Sequence, residues 1–534
     1  MSKQLAWLAW GLAASGIFAP ASALENSVGD KGINARQLHQ APYNLTGRKI
    51  AIGQVEIGRP GKFGYDKAVS WNPAINLAGI FYRDAPAAAN QNVDNHAAMV
   101  AAVMVNQDKR LRGVAPGAKL YASAVGSLRR AGQPEECLSS QHVALQNSGD
   151  VRAINFSFGE SLERDSRKEA QLDGNALLTQ CVDWSARVHD VLYAIAGNQG
   201  KGGIPIPTDH FNGITAAYTT TRQGSFTKVD FANLSDLPTG IGRRLIAREI
   251  NVGARRAINL IAPGSKISLP ALSGKVSQVS GTSFAAPHVT ASVALLQEYG
   301  DRQLQQSRPD WSLDSRRHEV MKAVLLTSGD KIQDSGDGLM LGMNRTILNK
   351  HNDTWLDSDA YINEKVPLDM QMGTGHLNVL RAYQLFSAGQ GHPDAAPNRG
   401  WDYRSVAARS HQDYLLEAPL RQGSFAAITL AWDRVVELVD LNDNGRFDIG
   451  ERFSDRGLNN LDLYLMPLDE ENPVRSACAS YSRADSVEHI FCPVPATGRY
   501  KIRVQYRQQV NQATQPYAIA WWTVAKQSPI NNKQ

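Results

Sequence analysis

The residues best suited to covalent chemistry lie together in Gly281-Thr282-Ser283-Phe284-Ala285-Ala286-Pro287-His288, which runs into an apolar stretch at 289–296. A serine that follows a glycine at the start of a helix exposes its hydroxyl. The unpaired N–H groups of the first turn and the positive end of the helix dipole then face any anion that develops beside it. Pro287 suits the first turn, where a missing N–H costs little. A serine hydroxyl is a poor nucleophile near neutral pH, so Ser283 needs a base, and one of the 12 His must supply it. A second pattern lies at 440–451. Asp440, Asn442, Asn444, Asp448 and Glu451 carry side-chain oxygens at the spacing of an EF-hand-type loop, with Gly445 at the sharp turn and Arg446 offering its carbonyl. The ligand expected there is a calcium ion. The flanking runs are β-like and not helical, which predicts a calcium loop in a β-domain and not a calcium sensor.

Positioning these groups falls to two kinds of chain. From about residue 49 to 388, short β-like runs (50–55, 119–124, 151–156, 191–196) alternate with helical ones (96–104, 168–189, 283–299, 316–327). That alternation predicts an α/β fold, a doubly wound, mostly parallel sheet with helices on both faces. A Gly/Pro/polar stretch follows at 389–400. Beyond it, residues 426–432, 461–465, 500–504 and 517–521 alternate apolar and polar in the manner of an all-β sandwich. The expected division is a signal peptide at 1–23, a catalytic domain at 24–388, a linker at 389–404, a β-sandwich at 405–526 and a disordered tail at 527–534.

Composition narrows the partners. Lys plus Arg number 56 against 51 Asp plus Glu, a net +5 with no long basic block, so no nucleic-acid partner is expected. Lys3, the apolar run 5–18 and Ala21-Ser22-Ala23 form a secretory leader with an A-x-A cleavage site. No later run is long enough to span a bilayer. The mature chain is therefore expected to be exported, extracellular or periplasmic, with no stable membrane insertion after cleavage. Export permits disulfides, and pairing Cys137 with Cys181 and Cys478 with Cys492 keeps each bridge inside one expected domain. Nothing in the sequence sets an oligomeric state.

Several segments, in order along the first 390 residues, make the chain resemble the subtilisin-like serine protease family. Residues 281–288 match that family's Gly-Thr-Ser-x-Ala-x-Pro-His segment. The helix led by His96 matches its histidine helix more loosely, because Ala97, Ala98 and Met99 stand where Gly, Thr and His are usual. Gly113-Val114-Ala115-Pro116-Gly117-Ala118, Ala262-Pro263-Gly264 and Gly373-Thr374-Gly375-His376 match further landmarks. The resemblance implies a nucleophile at Ser283 and a base at His96. It implies an oxyanion donor at Asn198, after Ala196-Gly197. It also implies an edge at Ser157-Phe158-Gly159 along which an extended protein or peptide substrate pairs.

The chain departs from the family at the acid, reading Val55-Glu56-Ile57-Gly58 where subtilisins carry Asp. Glutamate can orient a histidine in other Ser-His-acid hydrolases, but it is longer by about 1.5 Å, one C–C bond. Two readings follow: a secreted endopeptidase working through an acyl-enzyme with Glu56, His96 and Ser283 as its triad, or a degraded pseudoprotease that binds or scaffolds a partner. Esterase or transpeptidase chemistry on the same serine is a third. Asp94 is a weaker candidate acid, since its place two residues before His96 does not aim it at the far ring nitrogen. The stretch between Ala23 and Glu56 is too short for the folded inhibitory propeptide many subtilisins carry there.

Overall fold

The computed structural model describes residues 23–71, 74–126, 132–197, 206–231 and 255–526. Asn198, the expected tail and the expected leader apart from Ala23 lie outside the described residues.

Nine strands make the central sheet: β1 (Ala51–Glu56), β2 (Leu77–Tyr82), β3 (Ala85–Pro86), β4 (Lys119–Ala124), β5 (Val151–Phe156), β6 (Leu192–Ala196), β7 (Ile214–Arg222), β8 (Ser225–Phe231) and β9 (Leu260–Pro263). Their order is β3-β2-β4-β1-β5-β6-β7-β8, with β9 also on β7. All pairings are parallel except β2 with β3 and β7 with β8. β1 is buried along its whole length because parallel neighbours flank it and helices cover both faces. On one face pack α1 (Asn95–Val105), α4 (Ala286–Gln305), α5 (His318–Thr327) and α6 (Val379–Phe386); on the other lie α2 (Gln133–Ala144) and α3 (Leu177–His189). The doubly wound fold read from the sequence is the one observed.

One helix is shorter than expected. The run 168–189 is helical only from Leu177, because Gly174 takes φ +84° and a Cβ there would meet Arg434 Nη1 at 2.7 Å.

A short hairpin of β10 (Ile267–Pro270) and β11 (Val276–Val279) precedes the segment that carries Ser283, and the C-terminal part is a β-sandwich of two antiparallel sheets. Its strands are β12 (Arg399–Ala407), β13 (His411–Leu415), β14 (Phe425–Ala431), β17 (Asn460–Pro467), β18 (Cys478–Ser480), β19 (Val487–Pro493), β20 (Tyr500–Gln508) and β21 (Thr514–Trp522), with a separate hairpin of β15 (Val435–Val439) and β16 (Arg452–Gly457). Sheet β12-β21-β14-β19 lies against α5, and sheet β13-β20-β17-β18 faces away from it. The stretch expected to be linker to residue 404 already holds a strand, since β12 pairs with β21 from Arg399 onward. Local Gly/Pro composition misled there: Trp401 is fully buried and donates Nε1–H to the Phe386 carbonyl at 2.9 Å, clamping the start of β12 to the end of α6. The structure bonds Cys137 to Cys181, joining α2 to α3, and Cys478 to Cys492. Among the described residues no helix is long and apolar enough to cross a membrane.

Candidate active site

Side chains alternate along a strand, so Ile52, Gln54 and Glu56 share the face of β1 that meets α1. Gln54 fixes that meeting by donating Nε2–H to the Ala97 carbonyl at 2.9 Å. Glu56, the last residue of β1, then reaches His96 in the first turn of the helix, with Oε2 at 3.4 Å from Nδ1. The approach needs a glycine: a Cβ on Gly58 would come within 2.3 Å of Asp94 Cβ. The Glu56 side chain is 3% exposed and that of His96 41%, so the carboxylate is sealed behind the imidazole and the imidazole is open to a ligand.

Burial raises the Glu56 carboxyl above its ordinary value, opposed by the charge and hydrogen bond of His96. Burial pulls the His96 imidazole down, but the charge and hydrogen bond of Glu56, with the charge of Asp94, outweigh it and the net shift is upward. The Asp94 carboxylate is engaged with the backbone. Asp94 is the N-cap of α1, accepting the Ala97 N–H at 3.0 Å.

Ser283 sits in a single 3₁₀ turn, Thr282–Phe284, and α4 begins only at Ala286, about one turn later than the helix start expected at 283. Its neighbours are tied to two other strand ends. Thr282 donates its hydroxyl to the Gly197 carbonyl at 2.6 Å, holding the chain just before Asn198. Ser157, the first residue after β5, clasps Ser283 reciprocally: Ser157 Oγ donates to the Ser283 carbonyl at 2.8 Å, and Ser283 Oγ donates to the Ser157 carbonyl at 3.1 Å. The His96 ring lies 5.6 Å, centroid to centroid, from that of Phe284. Glu56, His96, Ser283 and Ser157 are thus gathered at the C-terminal ends of parallel strands, where ligands bind in open α/β sheets. Among the described residues the hydrogen bond of Ser283 Oγ goes to Ser157 and not to His96.

Phe158 turns into the core against Phe156, with ring centroids 5.1 Å apart, so segment 157–159 offers a ligand its main chain and little else. His288, in the nucleophile motif, is structural: burial holds it near pKa 4 while Nδ1 meets the Phe284 carbonyl at 2.7 Å. Sequence reasoning missed Gln54 and Thr282 as positioning residues. Gln54 carried a signal, a polar residue two before Glu56 and hence on its face of the strand. Thr282 carried none beyond membership of the motif.

The loop 440–451 joins β15 to β16, so its flanks are strands, as expected. Asp440 accepts the Asn442, Asn444 and Gly445 N–H groups at 3.2, 3.3 and 2.6 Å. Asn442 and Asn444 both donate Nδ2–H to Asp448 Oδ2, at 2.8 and 2.7 Å, and Glu451 accepts the Leu441 and Asp448 N–H groups, each at 2.8 Å. The donor set is all oxygen once the two amides turn over, and it includes three carboxylates, which suits a hard cation.

A model of the subtilase family, Peptidase S8, matches residues 62–343, more than half of the chain. The match includes His96 and Ser283 and begins just after Glu56. Subtilisin Savinase of Lederbergia lenta is 22% identical over 308 residues, 57% of this chain and 93% of that protein. The alkaline protease of Alkalihalobacillus alcalophilus is also 22% identical over 308 residues, which span 66% of its length. Subtilisin E of Bacillus subtilis (strain 168) is 26% identical over 267 residues, 49% of this chain and 59% of that one. The solved structure of the prenylagaramide maturation protease PagA is 20% identical, covering 66% of this chain and 97% of that chain at a TM-score of 0.40. The chain belongs to the subtilase family of serine endopeptidases, whose substrates are peptides.

Proposed function

We propose that this chain is an exported serine endopeptidase in which Ser283 forms the acyl-enzyme, His96 is general base and acid, and Glu56 replaces the usual aspartate. The observation that carries the reading is the sealed Glu56 carboxylate at 3.4 Å from His96 Nδ1. It engages one ring nitrogen, fixes the tautomer and leaves Nε2 for the Ser283 hydroxyl. A peptide laid along 157–159 presents its carbonyl to Ser283. His96 takes the hydroxyl proton as Oγ attacks, and the new oxyanion meets the Ser283 N–H and the Asn198 side-chain amide. His96 then hands the proton to the leaving amine, and water repeats the sequence to release the acid. Leu24, Ser27 and Val28, which directly follow the expected cleavage point, are buried, and this supports a mature chain that begins there.

A second reading, a pseudoprotease that holds a partner in the cleft, draws on one observation: Ser283 Oγ bonds the Ser157 carbonyl. A fluorophosphonate probe separates the two, because it reacts only with an activated serine. Labelling that is lost in Ser283→Ala establishes the enzyme; no labelling of the folded wild-type chain establishes the scaffold.

The proposal includes one calcium ion in the loop 440–451, held by Asp440, Asn442, Asn444, Asp448, Glu451 and the Arg446 carbonyl. The cation would offset repulsion among the carboxylates and stiffen a loop whose Phe447 is fully buried against the catalytic unit.

A further inference from the structure

The face of the sandwich turned away from the catalytic unit carries a cleft that the peptidase reading does not use. Leu461, Leu463 and Leu465 on β17, and Ile502, Val504 and Tyr506 on β20, fill the sandwich core. Strand alternation therefore sends Asn460, Asp462 and Tyr464, with Gln505 and Arg507, to the outer surface, where Asp462 and Gln505 stand opposite each other across the two strands. The turn at Pro473–Arg475 and the loop carrying Tyr481 and Arg483 rise on either side and enclose about 430 Å³. That volume lies within the range of small-molecule sites, roughly 300–1,000 Å³.

The chemistry of the lining is specific. Tyr464 donates its hydroxyl to Asp462 Oδ2 at 2.9 Å, so this acid has a partner within the floor, although burial still raises its carboxyl. Arg507 stays 3.9 Å from it with its side chain 60% exposed, and Arg483 is exposed on the opposite wall. The neighbouring Lys501 and Arg503 are neutralised by Asp413 and Glu471. The cleft itself therefore holds a surplus of guanidinium, which calls for an anionic ligand. Gln505 Oε1 is buried at the floor without a hydrogen-bond partner among the described residues, a costly state that a donor entering from the cleft would relieve. Turning the carboxamide about its last bond leaves the strand undisturbed. Val474, 90% exposed, offers an apolar rim.

A ligand that accepts from two arginines, donates to a carboxamide and lies beside a tyrosine ring is a hydroxylated carboxylate. A peptide fits less well. The cleft lies on the face of the sheet and not at its edge, so the main chain of β17 and β20 is already paired and recognition must come from side chains alone. We propose that this cleft binds an acidic saccharide and holds the peptidase on a surface or substrate that carries one. The reading is independent of the triad: the floor of the cleft is the outer sheet, and where its Tyr481 wall touches the catalytic unit the partner is Glu364, whose carbonyl accepts the Tyr481 N–H at 2.8 Å, and not a triad residue.

The test is calorimetric titration of the full-length protein with trigalacturonate, with neutral cellotriose and hexaglutamate as comparisons. Saturable binding of trigalacturonate is expected, at least tenfold tighter than cellotriose. It should weaken tenfold or more in Arg507→Ala and in Gln505→Leu, while cleavage of a short chromogenic peptide is unchanged in both. Absence of saturable binding, equal binding of hexaglutamate, or affinity indifferent to both substitutions would overturn the proposal.

Discussion

Replacing Glu56 tests the triad where it departs most from its family. The backbone of β1 cannot follow a shortened side chain. β4 and β5 flank it in parallel register, and the Val125 N–H holds the Glu56 carbonyl at 2.8 Å. Glu56→Asp withdraws the carboxylate by about 1.5 Å, one C–C bond. Starting from 3.4 Å, the nearest oxygen then stands beyond hydrogen-bond reach of Nδ1 unless α1 moves. A misplacement of about 1 Å costs on the order of 10²-fold in rate, so kcat/KM on a peptide substrate should fall between about tenfold and 10²-fold. Glu56→Gln keeps the length but can present an N–H to the ring and favour the wrong tautomer, for a loss of about 10⁴. The pH profile gives the mechanism-specific readout. His96 is held above its ordinary value by the carboxylate against the pull of burial, and activity requires the neutral ring, so the wild-type acid limb lies high. In Glu56→Gln burial acts unopposed by that charge, and the limb should move to lower pH. If Glu56→Gln keeps full activity with an unmoved acid limb, Glu56 is not the partner of His96. If Glu56→Asp raises activity from near zero to that of an ordinary subtilisin, the natural chain is a pseudoprotease with a single lesion.

Ser283→Ala should abolish peptidase activity with little change in melting temperature, since it removes one oxygen from a cleft wall; retained activity would place the nucleophile elsewhere. Chelation of divalent cations should lower the melting temperature of the full-length protein, and added calcium should restore it; an unchanged temperature, with no heat on calcium titration, would remove the metal from loop 440–451. His318 meets Asp190 and Glu319 through Nδ1, at 2.9 and 3.1 Å, and Asp433 through Nε2 at 3.1 Å, with Arg317 alongside. Burial lowers the ring, but these carboxylates outweigh it and leave its pKa well above the ordinary value. The proton therefore stabilises the folded chain fully below about pH 6.5 and progressively less as pH rises through the folded value. His318→Gln should cost about 3–5 kcal/mol in denaturant titrations at pH 6, the scale of a broken buried pair, and less at alkaline pH; an equal cost at both would show that the ring is neutral throughout.

The legible parts of the fold were those whose signal is local. Val151–Phe156 is buried at every position and Lys119–Ala124 at four of its six, and the limits of both could be read directly. The run 168–189 was overextended because its first half has helical composition and only Gly174, pressed against a residue 260 positions away, stops the helix. The start of β12 was hidden for a similar reason, since Trp401 matters only once Phe386 is beside it. In the site, Ser283 announces itself by its motif and Glu56 by the strand it ends. The clasp between Ser157 and Ser283 joins residues 126 positions apart and left no local trace.

The contacts that were illegible are also those that make the two parts one body. Arg434, just past β14, buries its guanidinium in the catalytic unit, donating to the Gly174 carbonyl at 2.6 Å and lying 3.3 Å from Asp183 on α3. Its own backbone is paired on both sides by the Asn212 side chain, which accepts from its N–H at 2.8 Å and donates to its carbonyl at 3.0 Å. Phe447 does the same from the loop 440–451: its N–H and carbonyl both meet the Gln141 carboxamide of α2, at 2.6 and 3.1 Å, while its ring joins the cluster around Cys137, Cys181 and Trp184. Helices α2 and α3 are thus held by a disulfide from within and by the sandwich from outside. They cover the face of β5 whose end carries Ser157, the residue that grips Ser283. A sandwich attached by a slack linker could not brace that strand. Because the bracing runs through buried polar groups that lose their partners if the parts separate, the sandwich acts as a structural wall of the peptidase as well as the bearer of a second cleft.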